Sequence, residues 1–119
     1  MQRHQSDGLA WYTFDGPGRR FQHALITRRG GVSAGAFAHL NLGSTVGDDP
    51  AAVAENHRRL YATFELDAEQ VVSPHQVHGR NVVLVGAAQG GTVVPQTDAL
   101  ITAEPGVALL LRFADCTPV

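Results

Sequence analysis

Gly106-Val107-Ala108-Leu109-Leu110-Leu111-Arg112-Phe113-Ala114-Asp115-Cys116-Thr117-Pro118-Val119 decides how the chain reads. Five apolar residues follow Pro105-Gly106, the signature of a strand buried on both faces. Such a strand is rigid and holds whatever stands at its end. Here that is Asp115 and Cys116, followed by a turn-forming Thr117-Pro118. A lone cysteine is either a small buried apolar residue or a ligand or nucleophile, and both readings stand at this point.

Composition narrows the field. The 119 residues are 44% hydrophobic and 17% charged, ordinary for one globular domain or part of one. The net charge of -2 and the absence of a basic tract give no hold for nucleic acid. No apolar run approaches the roughly 20 residues that span a membrane. The first residues, Met1-Gln2-Arg3-His4-Gln5-Ser6, are polar and read as a tail without the apolar centre of a signal peptide. One cysteine excludes an internal disulfide and fits a reducing cytoplasm. The chain stops at Val119 directly after its most apolar stretch, so the expectation is a domain of which a C-terminal part is missing.

Strands are expected over Leu9–Phe14 and Phe21–Thr27. A turn at Gly30-Gly31 and a loop from Ser33 to Leu42 follow. Asp49-Pro50 opens a helix that runs to about Phe64, with Val53, Leu60 and Phe64 on its apolar side. Asp67 caps a further turn through Gln70. Val71-Val72 starts a strand that Pro74 interrupts. Further strands lie over Asn81–Val85, Thr97–Thr102 and Val107–Phe113. The class is α+β, strand-rich with one clear helix.

Six histidines are many for this length. His4 in the tail and His57 on the helix read as structural or solvated, and His23 and His39 carry no motif. His75 and His78 stand together after the strand that proline breaks, with Gly79 behind them. Imidazole and thiolate are standard zinc ligands, so His78 and Cys116 form a candidate metal pair, though no local spacing links them. Arg28 beside Gly30-Gly31 is a candidate oxyanion site, or it pairs with a surface acid. Asn41 binds a nucleoside hydroxyl or holds its own loop. Asp115 orients a ligand or accepts N–H bonds at the turn.

These stretches resemble the bacterial laccase-domain family. Its members are also called multicopper polyphenol oxidoreductases, purine nucleoside phosphorylases and peptidoglycan editing factors. The likeness is carried in order by Thr27-Arg28-Arg29-Gly30-Gly31-Val32-Ser33, Leu40-Asn41-Leu42-Gly43, Val46-Gly47-Asp48-Asp49-Pro50, Val53-Ala54-Glu55-Asn56, Gln76-Val77-His78-Gly79, Thr97-Asp98-Ala99-Leu100-Ile101-Thr102 and Ala114-Asp115-Cys116-Thr117-Pro118-Val119. It implies an α-β-β-α sandwich of the laccase-domain, cysteine-hydrolase-like type. It also implies a zinc held by His78, Cys116 and a histidine in a His-Ala-Gly-Trp-Arg-Gly-like motif that this chain does not contain. Zinc lowers the pKa of bound water towards about 7, which suits hydrolytic deamination of adenosine. Phosphorolysis of purine nucleosides needs a phosphate site besides, for which Arg28 is the candidate. Three other readings follow from the same residues. One is a copper polyphenol oxidase, one a hydrolase with Cys116 as nucleophile and His78 as base, and one a non-catalytic module that edits or binds peptidoglycan precursors.

Overall fold

The computed structural model describes residues 1–16 and 21–115. The chain divides into two compact units, Met1–Phe64 and Glu65–Val119. The mixture of one helix with several small sheets is the expected strand-rich α+β class. Among the described residues, no helix is long and apolar enough to cross a membrane.

The first unit begins with a hairpin where a tail was expected. Strands β1 (Gln2–Ser6) and β2 (Leu9–Thr13) pair antiparallel, from Gln2 opposite Thr13 to Ser6 opposite Leu9. Asp7 and Gly8 make the two-residue turn, with φ of 48° and 85°. Two successive positive φ angles match the right-handed twist of the flanking strands, and Asp-Gly is a favoured pair for that turn. His4 stacks on its cross-strand partner Trp11 and bonds Thr13 Oγ1 through Nε2 at 2.8 Å. The expected second strand shrinks to β3 (Leu25–Ile26), paired with Trp11 and Tyr12 of β2.

Helix α1 (Pro50–Thr63) starts as the sequence predicts. The Asp49 carboxylate accepts from Ala51 N–H at 2.9 Å, and Pro50 fills the first position, where no N–H is needed. Its buried side chains are Val53, Asn56 and Leu60, at helical spacing. Phe64 ends the helix and meets Trp11 edge to face at 5.2 Å. The outer side carries Glu55 between Arg58 and Arg59.

The second unit is built on strand β4 (Val71–Pro74), which a short turn over Ala68–Gln70 introduces. Two later strands, β6 (Val93–Val94) and β8 (Ala108–Leu109), flank β4 in parallel, and Val72 is completely buried. β8 pairs only with Val71 and Val72, so Pro74 stands where β4 has a partner on one side alone. A proline is tolerated at such a position. Strands β5 (Val82–Leu84) and β7 (Ala99–Ile101) form a separate parallel pair.

Among the described residues the sheet order is β6-β4-β8, so β4 has a strand on either side and β8 is bonded to β4 alone. The expected strand over Val107–Phe113 shortens to Ala108–Leu109, and residues 107–112 are half-buried.

Candidate functional site

The first unit carries Arg28 and Asn41 in a loop locked onto α1. Asn56 is the lock, fully buried. Its Oδ1 accepts from Val32 N–H at 2.8 Å. Its Nδ2 donates to Ser33 Oγ at 2.9 Å, to Asn41 O at 2.8 Å and to His39 O at 3.3 Å. A buried amide with every group engaged holds a loop as firmly as an apolar contact would, because breaking it strands polar groups away from water. Ser33 Oγ–H in turn donates a hydrogen bond to Asp48 Oδ2 at 2.6 Å, and Asn41 Nδ2 donates to the same oxygen at 2.9 Å. These bonds, from Ser33 first and then Asn41, hold the Asp48 carboxyl below its ordinary value against the opposing effect of burial.

Asn41 also accepts from Gly43 N–H at 3.0 Å and donates to Gly43 O at 3.3 Å. Its amide is thus occupied by the loop it belongs to. Arg28 directs Nε at 2.6 Å, and Nη2 as well, onto the carbonyl of Ala38. It makes no ion pair with an acid among the described residues. The guanidinium keeps three further N–H donors beyond those two. The double glycine serves close packing. A Cβ on Gly30 would lie 2.5 Å from the Gly8 carbonyl, and one on Gly31 would overlap His39 and Leu40 backbone. His57 donates from Nε2 to Leu42 O at 3.0 Å and accepts from Tyr61 OH at 3.0 Å, a structural role.

The second unit carries His75 and His78 in the turn between β4 and β5. His75 prolongs the pairing of β4, its N–H on Val94 O at 2.8 Å and its O accepting from Thr97 N–H at 3.0 Å. His78 is exposed with φ +57°, a left-handed conformation uncommon outside glycine. No described residue hydrogen-bonds its imidazole. Beneath this turn sits Asp98, whose Oδ1 accepts from Val77 N–H at 2.9 Å. Burial raises the Asp98 carboxyl, but the N–H groups of Gly79, Val77, Asn81 and His78 together outweigh it and hold the pKa below the ordinary value. Of these, only Val77 N–H makes a well-aligned bond, since Asp98 Oδ2 is buried without one. The others act as nearby dipoles.

Among the described residues, no three histidine, cysteine or acidic side chains gather as a metal site. Asp115 is exposed, and Cys116 lies outside the described residues. An exposed imidazole that no described residue bonds, in a chain that also carries one thiol, has the donor chemistry that zinc takes. Sequence reasoning gave no role to Asn56 or Asp98. Both stand inside the quoted motifs, but an Asn among helix residues and an Asp at a strand start carry no periodic signal that separates a hub from a surface group.

The sequence profile of multi-copper polyphenol oxidoreductase laccases matches residues 22–119, and the chain belongs to that family. It is 48% identical over 97 residues to a purine nucleoside phosphorylase of Streptomyces griseus, covering 81% of this chain and 39% of that protein. It is 49% identical over 100 residues to a purine nucleoside phosphorylase of Mycobacterium bovis, covering 84% and 40%. The chain thus spans about two-fifths of the length of these curated relatives. The crystal structure of YlmD from Geobacillus stearothermophilus superposes with a TM-score of 0.75 at 43% identity, over 78% of this chain and 37% of that one. YfiH from Bacillus licheniformis gives 0.75 at 29% identity, over 78% and 38%. The fold is that of these laccase-domain proteins.

Proposed function

We propose that this chain carries part of the site of a zinc-dependent purine nucleoside phosphorylase that also deaminates adenosine and works in the cytoplasm. The observation that carries the reading is His78, held in a left-handed turn with its imidazole free of described partners, in a chain nearly half identical to proteins named purine nucleoside phosphorylase. His78 and Cys116 would hold the metal, which supplies Lewis acidity at neutral pH when bound.

In phosphorolysis a phosphate oxygen bonds the ribosyl C1′ while the bond to the purine nitrogen breaks and the base leaves with a proton. Arg28 binds the phosphate in this reading, through the N–H donors that Ala38 leaves over. Asn41 sits in the same Asn56-locked loop and is offered as a contact to the nucleoside, through whatever its loop bonds leave. Purine nucleoside and phosphate are the partners; neither nucleic acid nor membrane has a place in it.

The test is metal content and turnover of the full-length protein, as wild type, His78→Ala and Cys116→Ser. About one zinc per chain is expected for a site of this kind. Both variants are expected to lose it, together with phosphate-dependent release of hypoxanthine from inosine. Full turnover in either variant would overturn the metal role. The family's description names copper. Copper-dependent oxidation of a phenol, with blue absorption and no inosine cleavage, would put that reading first.

A further inference from the structure

We propose that Asp98 is the positioning residue of His78, acting through the main chain of the turn rather than on the imidazole. The proposal rests on the reading of His78 as a metal ligand. A ligating histidine ordinarily donates its second ring N–H to a carboxylate or carbonyl that fixes the ring. His78 has no such bond to a described residue, and its φ of +57° is a conformation that surrounding structure must impose.

The imposing contacts come from residues 96–99, at and just before the start of β7. Asp98 Oδ1 takes the N–H of Val77, the residue before His78, at 2.9 Å. Asp98 Oδ2 lies 3.0 Å from where a Cβ on Gly79, the residue after it, would stand. A side chain at position 79 would press on that carboxylate, so the glycine leaves it room under the turn. The main chain closes the other end, with Asp98 and Ala99 N–H donating to Asn81 O at 2.9 and 3.1 Å. Asn81 Nδ2 in turn holds Gln96 O at 2.8 Å. Residues 77–81 are therefore fastened before and behind His78, while no described residue bonds the imidazole itself. A site built this way presents a ligand on a fixed backbone and leaves both ring nitrogens for chemistry.

The experiment compares wild type, Asp98→Ala, Asp98→Asn and His78→Ala in the full-length protein. It reads amide hydrogen exchange at Val77 without metal, affinity for zinc alone against a chromophoric chelator, and the visible spectrum with cobalt. Asp98→Ala is expected to speed Val77 exchange at least about tenfold and to weaken zinc by about 10–100-fold, the usual loss for an outer partner of a ligand. The cobalt bands should shift. Asp98→Asn keeps an oxygen for Val77 N–H and should recover most of both, which a role in global stability alone would not explain. Wild-type exchange and affinity in Asp98→Ala would overturn the proposal. If that variant does not fold, Asp98→Leu, which fills the space but accepts no bond, decides: a loss in both readouts supports the proposal, and wild-type values sink it. If wild type binds no zinc, or His78→Ala binds it equally, the metal reading has failed, and Val77 exchange still decides whether Asp98 organises the turn.

Discussion

The carboxamide of Asn56 donates to the hydroxyl of Ser33 at 2.9 Å, and both side chains are buried. Through that bond helix α1 reaches Asp48, which accepts a hydrogen bond from the Ser33 hydroxyl at 2.6 Å. A helix residue, a loop residue and the acid just before the helix cap form one chain of bonds. The loop bearing Arg28 and Asn41 has its shape from this chain.

Asn56→Ala would strand Val32 N–H and remove the partner of three oxygens. With about 1–3 kcal/mol for each buried group left unpaired, a loss of about 2–4 kcal/mol in urea unfolding is expected. Asn56→Asp should cost as much or more, since a carboxylate has no proton for those oxygens. Unchanged unfolding in both variants would mean that water replaces the amide at no cost.

Gly30 and Gly47 share nearly the same φ, 90° and 92°, but not the same surroundings. A Cβ at Gly30 meets Gly8 at 2.5 Å, while one at Gly47 meets nothing within 4 Å. Gly47→Ala should cost only the backbone term, about 1–2 kcal/mol. Gly30→Ala should cost about 1–3 kcal/mol more from overpacking. Equal melting temperatures for the two would show that the hairpin turn yields freely.

Glu55 is bonded by Arg58 at 2.6 and 2.8 Å and by Arg59 at 2.8 Å, which lower its pKa from 4.5 to about 2. A depressed carboxylate stabilises the fold above its unfolded pKa and loses that contribution as pH falls through the folded value. Wild type should therefore melt above Glu55→Gln at neutral pH, and the gap should close between about pH 4.5 and 2. The gap should be small and shrink in salt, because the group is at the surface. A gap that persists at pH 2 would contradict the assignment.

Arg28→Ala in the full-length protein should raise KM for phosphate about tenfold, roughly 1.4 kcal/mol, with a smaller change in kcat. Arg28→Lys keeps the charge but not the fork on the Ala38 carbonyl, and should fall between. A variant that loses stability alone, with KM for phosphate unmoved, would leave Arg28 as a loop clamp.

What the sequence discloses depends on how local the cause is. Asp49 and Pro50 announce α1 because capping is settled within a few residues, and the helix begins where they say. Asp7-Gly8 announces the hairpin equally well, and the polar strand before it hid the signal. β1 carries almost no apolar face and owes its place to pairing with β2 and to His4 lying on Trp11. The parallel pairing of β4 with β6 and β8 was not legible, because neighbours in a sheet come from distant segments. His78 could be named from its motif, whereas the hold of Asp98 on its turn exists only once β7 starts beneath it. The place of Cys116, the other half of the expected pair, lies outside the described residues.

β4 gains both of its partners, β6 and β8, from chain that follows it. The β1–β2 hairpin can close as soon as its turn exists, since its contacts are between neighbours. β4 has no such option. During synthesis from the N-terminus, Val71 and Val72 are made before either flanking strand, and for that interval they present two unpaired edges and an apolar surface. Parallel pairing across long stretches of chain is also intrinsically slow. The strand that β6 and β8 cover from both sides is thus one in need of protection while it is being made.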